Sequence, residues 1–223
     1  MFKRKTTKRK LIAHEEPKSI IAEQFRNIRT NIEFASVGNE MRSIMITSSD
    51  PDEGKTMTIS NLAVVLGQQG KKVLVIGADL RKPTLQTVFG IHNMKGLTNV
   101  LSGQSSFTEC VQETVVENVY IMPAGPIPPN PAELLATERM DEVLVEAYEL
   151  FDIVLVDTPP ILVITDAQIL ANKCDGIILV IRSEQTERDR AVKAKQALEQ
   201  ASGKLLGVIL NDKKQNKEMY GYY

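Results

Sequence analysis

The residues best suited to chemistry in this sequence form the segment Ser49-Asp-Pro-Asp-Glu-Gly-Lys-Thr56. A β-branched and apolar run, Ser43 to Thr47, precedes this segment, and helix-forming residues from Lys55 to Gln68 follow. A strand, a Gly-Lys-Thr loop and a helix in this order are what a phosphate-binding loop requires. The alternative, an ordinary turn with a lysine that faces solvent, does not account for that order. The segment therefore predicts a nucleotide site that binds ATP.

Each residue type in this loop has a physical role toward phosphate. Backbone N–H groups and the helix N-terminus present partial positive charge, and Gly54 lets the backbone approach the phosphates closely. Lys55 is expected to reach the β- and γ-phosphates, and the Thr56 hydroxyl is expected to ligate Mg²⁺. Ser49 stands where the usual pattern has glycine, which is a departure that matters where the loop needs a positive φ.

Two aspartates that follow apolar runs are expected near this loop. Asp157 ends the run that begins at Phe151, where a parallel strand delivers its last residue to the nucleotide crevice. It is predicted to hold Mg²⁺ directly or through a water molecule. Asp79 follows the strand Lys72 to Ile76 and is a candidate to bind the metal or to accept the proton of an attacking hydroxyl. For both residues the alternative is a turn-forming aspartate.

Other polar residues near these strand ends complete the predicted site. Arg81 and Lys82 add positive charge near a transferred phosphate. Asn211 follows the run Leu205 to Leu210 and lies where related P-loop ATPases place an asparagine against the base, although Asn-Asp is also a turn pattern. Asp166 is interpreted as a helix cap. The predicted nucleotide-contacting residues are Ser49, Asp50, Pro51, Asp52, Glu53, Gly54, Lys55, Thr56, Met57, Arg81 and Asn211.

The elements that must position these residues alternate along the chain. Short apolar runs predict buried strands, and the segments between them have helical periodicity. Such alternation is typical of an α/β fold, a doubly wound and mostly parallel sheet flanked by helices. A proline-rich stretch, Pro123 to Pro131, predicts a rigid, extended surface loop. The predicted strands are 43–47, 73–76, 119–122, 153–156, 177–181 and 205–210, and the predicted helices are 55–68, 131–148 and 187–201.

Length and composition exclude several classes of protein. The 223 residues fit one α/β domain, and a net charge of -1 gives no reason to expect a nucleic-acid partner. No apolar run approaches the roughly 20 residues that cross a bilayer. Cys110 and Cys174 have no CxxC spacing, so no disulfide framework or paired metal site is expected. We predict a basic flexible arm at residues 1–18, a P-loop domain at 19–215 and a tyrosine-rich tail at 216–223.

Together the motifs resemble those of the bacterial tyrosine kinases, P-loop NTPases of the Walker A variant, MinD-like superfamily. The resemblance implies transfer of the ATP γ-phosphate to tyrosine, with Lys55, Asp79 and Asp157 as catalytic residues and Thr56, Asp79 and Asp157 around Mg²⁺. It also implies autophosphorylation of a neighbouring subunit's tail and a role in capsule and exopolysaccharide synthesis. The motifs are Ser49 to Thr56, Ala78-Asp79-Leu-Arg-Lys-Pro83, Leu155-Val-Asp157-Thr-Pro-Pro160, Pro128-Pro-Asn-Pro-Ala-Glu-Leu-Leu135 and the acceptor tyrosines Tyr220, Tyr222 and Tyr223.

The same resemblance implies partners. Glu23, Arg26 and Arg29 match the family's ExxRxxR pattern, through which subunits form a ring; spacing alone favours a local pair between Glu23 and Arg26 on a solvated helix. Gram-positive members are separate cytoplasmic chains activated by a membrane-embedded adaptor, which implies a cytoplasmic protein recruited to the inner face of the membrane. The basic residues of the first ten positions are compatible with that location.

One departure from the family leaves alternatives open. The family has Asp-x-Asp where this chain has Gly77-Ala78-Asp79, so one carboxylate is missing and kinase turnover is expected to be reduced while nucleotide binding survives. A weakly active regulatory subunit is therefore one alternative. A MinD/ParA-like ATPase switch is another, although that class has a lysine near the start of its loop and residues 49–53 contain none.

Overall fold

A computed structural model describes residues 11–36, 38 and 41–214 of the chain. Predictions for residues 1–10 of the basic arm, and for the acceptor tyrosines Tyr220, Tyr222 and Tyr223, lie outside the described residues. The described strands are β1 (Ser43–Ser48), β2 (Val73–Gly77), β3 (Gln112–Glu113), β4 (Val119–Met122), β5 (Ile153–Asp157), β6 (Gly176–Arg182) and β7 (Lys204–Asn211). The described helices are α1 (Ile12–Glu15), α2 (Ile20–Ala35), α3 (Lys55–Gly67), α4 (Leu85–Phe89), α5 (Leu97–Leu101), α6 (Phe107–Cys110), α7 (Pro131–Ala136), α8 (Glu138–Leu150), α9 (Asp166–Ala171) and α10 (Arg188–Glu199).

These strands form one sheet in the order β3-β4-β2-β5-β1-β6-β7. All neighbouring pairs are parallel except β3 and β4, which are antiparallel. The predicted mostly parallel α/β sheet is therefore confirmed. Because parallel strands end at the same edge, the residues that follow β1, β2, β5 and β6 meet there.

Burial on both faces of the sheet explains why the central strands are continuous apolar runs. Every residue of β1, β2 and β5 is buried. Helix α3 covers one face, and 11 of its 13 residues are buried. Lys55 and Thr56 are the first residues of α3. The packing of this helix against the sheet therefore fixes their positions at the end of the phosphate loop.

Besides the short helices α1, α4, α5, α6 and α9, which are not among the predicted ranges, the structure differs from the predicted elements in three places. The segment 131–148, predicted as one helix, is two, because Thr137 is extended (φ -64°, ψ 156°) between α7 and α8. The two-residue strand β3 is too short to leave a periodic pattern in the sequence. The start of the proline-rich loop was predicted on the surface but is buried, because the carbonyls of Pro123 and Ala124 accept hydrogen bonds from the amides of Leu97 and Thr98.

Part of the segment predicted as a basic arm packs on the domain. Leu11 and Ala13 are buried, and the amide of Ala13 donates to Asn61 Oδ1 on α3 at 2.9 Å. This packing is favourable because Leu11 and Ala13 add to the apolar cluster on that face. Among the described residues, no helix is both long enough and apolar enough to cross a membrane.

Candidate active site

The phosphate loop joins the end of β1 to the first turn of α3. Gly54 has a φ of +91°, and a Cβ placed on it would lie 2.1 Å from Asn211 Nδ2. Glycine suits this position because other residues rarely adopt such a φ and a Cβ would displace the Asn211 side chain. The side-chain amide of Asn211 donates to the Glu53 carbonyl at 3.0 Å, so the predicted base-contacting residue lies against the loop itself. Its contact with the base stays a prediction.

Ser49, the departure from the usual glycine pattern, causes no backbone strain. The positive φ angles of the loop are at Asp52 (+63°) and Gly54, and Ser49 has none. Ser49 is fully buried, and its hydroxyl has no hydrogen-bond partner within the described chain. The serine is therefore compatible with the loop's conformation.

Five side chains from three segments meet at the start of α3. Lys55 Nζ lies 3.5 Å from Asp79 Oδ2, in the loop after β2. The Thr56 hydroxyl donates to Asp157 Oδ2, at the end of β5, at 2.8 Å. Thr84 Oγ1 lies 3.1 Å from Thr56 Oγ1, and it donates to that oxygen because the Thr56 proton already faces Asp157. The structure thus brings the predicted catalytic residues together.

Asp157 is a buried acid whose protonation is strongly perturbed by its surroundings. Its side chain is buried and one oxygen, Oδ1, has no hydrogen-bond partner. Burial raises the pKa of Asp157 to about 6; the charge of Lys55 and the Thr56 hydrogen bond oppose that rise, and the charge of Asp79 adds to it. A buried oxygen without a partner is costly unless something binds it.

The donor set around that oxygen fits Mg²⁺. Asp157 and Asp79 supply carboxylate oxygens and Thr56 supplies a hydroxyl, which are the hard ligands that Mg²⁺ prefers. No group of three or more His, Cys, Asp and Glu residues in the described ranges could form a metal site. Mg²⁺ is usually held by one or two carboxylates together with water and nucleotide phosphates, so two carboxylates suffice.

Comparison with known proteins identifies the family. A family model described as an AAA domain matches residues 41–200. Tyrosine-protein kinase YwqD of Bacillus subtilis (strain 168) is 55% identical over 216 residues, covering 96% of this chain and 91% of the relative. The chimerical protein CapA2B2, a solved crystal structure, is 38% identical with a TM-score of 0.89, covering 92% of this chain and 90% of that one. The chain belongs to the bacterial tyrosine kinases. The predicted family is therefore confirmed.

A second solved structure has the same fold and represents the alternative class, the MinD/ParA-like ATPase switch. The septum site-determining protein MinD from Pyrococcus horikoshii OT3, complexed with Mg-ADP, is 30% identical with a TM-score of 0.66, covering 76% of this chain and 69% of that chain. The predicted MinD-like P-loop fold is confirmed. Identity, TM-score and coverage are all lower for this structure than for CapA2B2. This difference favours the interpretation as a kinase over that as an ATPase switch.

Arg81 of this bacterial tyrosine kinase is engaged by another residue. Its Nε and Nη2 donate to both carboxylate oxygens of Asp166, at 2.9 and 3.0 Å. Asp166 is fully buried at the first position of α9. The hydrogen bonds that Arg81 donates to Asp166 raise the pKa of Arg81. In this state Arg81 braces the loop after Asp79, and its predicted contact with nucleotide stays a prediction.

The residues predicted at a subunit interface of the kinase have partners within the chain. On α2, Arg26 Nη1 donates to Glu23 Oε2 at 2.5 Å, which is the local pair that spacing favoured. Arg29 Nη1 donates to the carbonyl of Val65 on α3 at 3.0 Å. Both arginines retain further donors, so a role between subunits stays a prediction.

Sequence reasoning missed three residues of the kinase site, which are Thr84, Thr186 and Arg190. Thr84 lies beside Thr56, whereas Thr186 and Arg190 contact the phosphate loop from the β6–α10 segment. None of them belongs to a motif, and each contacts a residue distant in sequence. Met57, by contrast, was predicted to contact nucleotide, and it packs against the apolar cluster of the α3 face.

Proposed function

We propose that this chain transfers the γ-phosphate of ATP to tyrosine, first to the tail tyrosines of a neighbouring copy, and thereby regulates exopolysaccharide synthesis. The observation that carries the proposal is the paired arrangement of Lys55 with Asp79 and of Thr56 with Asp157 at the phosphate loop. Phosphoryl transfer needs mainly positioning and neutralisation of charge, which such an arrangement provides.

Each of these residues has a role in the proposed reaction. Lys55 would hold the β- and γ-phosphates, and Thr56, Asp79 and Asp157 would hold Mg²⁺, which when bound neutralises charge on those phosphates. Asp79, one side-chain oxygen of which accepts the Lys82 amide at 3.0 Å, is held in place. It would accept the tyrosine proton as the hydroxyl oxygen bonds to phosphorus and ADP leaves.

We also propose that the chain works as a homo-oligomeric ring with a membrane-embedded adaptor at the inner face of the membrane. Glu23, Arg26 and Arg29 lie along one helix whose charged groups are partly exposed, and they are available for contact with a second copy. The basic residues of positions 1–10 would favour an anionic surface. Other proteins phosphorylated on tyrosine would be further substrates.

Incubation with ATP and Mg²⁺, followed by mass spectrometry of the C-terminal peptide, tests this function. We expect phosphate on Tyr220, Tyr222 or Tyr223. ATP hydrolysis without phosphotyrosine would instead favour a MinD/ParA-like switch, and bound ATP without either product would favour a regulatory subunit. Transfer between copies is tested by mixing a Lys55→Met chain, which keeps its tail, with an active chain whose three tail tyrosines are phenylalanine. Phosphate should then appear on the Lys55→Met chain.

Gly77→Asp is expected to raise the turnover of tail phosphorylation about tenfold, because it adds a carboxylate beside Asp157. The two positions are in register on β2 and β5, so their side chains lie on the same face. A Cβ at Gly77 would lie 3.1 Å from the Ala124 amide nitrogen, a tight contact that the protein must absorb. Initial rates of phosphotyrosine formation measure the effect.

Two control variants separate charge from size at this position. Gly77→Ala adds the Cβ without the carboxylate, and Gly77→Asn adds a similar volume without the charge. Neither should increase turnover. The Gly77→Asp protein should also melt at a lower temperature in EDTA and recover when Mg²⁺ and nucleotide are added, since adjacent carboxylates repel one another without a cation. No gain in rate for Gly77→Asp would refute the idea that position 77 limits turnover.

A further inference from the structure

The phosphate loop of this chain carries three acidic residues where it must accept a polyanion. Asp50, Asp52 and Glu53 lie within four consecutive positions. At separations of several ångströms from a triphosphate, each unneutralised carboxylate weakens binding, and the interaction grows as water is excluded. The loop therefore needs a means of neutralising these carboxylates or of keeping them away from the phosphates.

Arg190 contacts the first of these acids with a two-pronged ion pair. Its Nε donates to Asp50 Oδ2 at 2.5 Å, and its Nη2 donates to Oδ1. Arg190 lies in the first turn of α10, far from the loop in sequence. The Asp50 side chain is 31% exposed and that of Arg190 is 41% exposed, so the pair is in contact with water and screened by salt. The two-pronged geometry fixes the direction of both side chains, and the arginine also neutralises the charge of the carboxylate.

Glu53 lies inside the protein, where both of its carboxylate oxygens have hydrogen-bond donors. It is buried, its Oε2 accepts the Asp50 amide at 3.0 Å, and its Oε1 accepts the Thr186 hydroxyl. Thr186 Oγ1 in turn accepts the amide of Arg182 at 2.8 Å. The contacts to Asp50 and Glu53 therefore come from one segment, the connection between β6 and α10 together with the first turn of α10.

We propose that Arg190 is a positioning residue of the nucleotide site, which neutralises Asp50 and, with Thr186, holds the phosphate loop open for an anion. This inference rests on the proposed function, since it concerns the binding of ATP by the same loop. Arg190 acts through Asp50 and has no contact with the phosphates in its role. Its effect on affinity therefore depends on the charge of Asp50.

Nucleotide titrations of Arg190→Met, Asp50→Asn and the double variant test this proposal, with Arg188→Met, exposed in the same helical turn, as the control. Arg190→Met should raise the Kd of ATP about tenfold and that of ADP less, because ATP carries more charge. High salt should reduce the difference. Asp50→Asn should bind ATP at least as tightly as the native chain, and adding it to Arg190→Met should restore native affinity.

A purely structural role for Arg190 predicts a different pattern. In that case Asp50→Asn would weaken ATP binding as Arg190→Met does, and the double variant would show no recovery; either result overturns the proposal. If Arg190→Met does not fold, Asp50→Asn and Arg190→Lys decide, with Arg190→Lys expected to lie between native and tenfold weakened affinity. A native chain that binds no ATP refutes the proposed function as well, whereas native binding with unchanged Arg190→Met affinity refutes only this inference.

Discussion

Replacing Lys55 with methionine is expected to weaken ATP binding by about 100-fold and to reduce tail phosphorylation below detection. Lys55 lies 3.5 Å from Asp79, and its charge opposes the rise in the pKa of Asp157 that burial causes. Methionine retains most of the side chain's length and apolar volume. The change therefore removes the positive charge that faces the phosphates and both carboxylates, while it preserves packing around the first turn of α3.

The measurement combines calorimetric titration with ATP and quantification of phosphotyrosine. Lys95→Met is the matched control, because its side chain is 55% exposed and its nearest acid, Glu109, is 4.0 Å away. This control should bind ATP and phosphorylate its tail as the native chain does. An affinity for ATP in Lys55→Met within about threefold of the native value would contradict the phosphate role of Lys55.

The parts of this site that motifs encode could be predicted from the sequence, and the reason is local. Strands buried on both faces leave continuous apolar runs, so β1, β2 and β5 were each located to within one residue of their bounds. The loop residues Gly54, Lys55 and Thr56 follow one of those strands directly. Asp79 and Asp157 follow or end two others, and parallel pairing of the strands is enough to bring the three segments to one edge.

The contacts that brace the site could not be predicted, because they join distant positions through tertiary packing. Arg190 and Asp50 are 140 positions apart, and Arg81 and Asp166 are 85 apart. Each residue taken alone has the pattern of an exposed charge on a helix or turn. Asp166 was interpreted as a helix cap for this reason, and its complete burial is visible only when α9 packs beside the sheet.

Asp157→Asn is expected to make the metal-free protein more stable at neutral pH while it lowers tail phosphorylation about 100-fold or more. In the folded chain Asp157 keeps its proton up to about pH 6, whereas in the unfolded chain its pKa returns to the ordinary value of 3.8. A carboxyl pKa that is higher in the folded chain stabilises the fold at pH values below the pKa of the unfolded chain. That contribution is lost as the pH rises between the two pKa values, and it amounts to about 3 kcal/mol.

Denaturant unfolding in EDTA, from about pH 4 to about pH 7, measures this difference. The native chain should lose stability relative to Asp157→Asn across that range, and the two curves should run parallel above it. Asp152→Asn is the control, since Asp152 is exposed just before β5, at the opposite end from Asp157. Curves for native and Asp157→Asn protein that stay parallel throughout would show that burial does not perturb this acid.

The opposite signs of these two effects carry the argument for function. A carboxylate kept only for stability would be one whose removal destabilises the fold at neutral pH. Asp157 instead has a buried oxygen without a hydrogen bond and a pKa raised by burial, so its charged form costs stability until a cation binds it. A site that tolerates this cost in the empty protein has its compensation in the bound state, since stability at functional sites is commonly lower than the fold allows. Gain of stability together with loss of phosphorylation in Asp157→Asn would show that Asp157 lowers the stability of the empty protein and is needed for phosphoryl transfer.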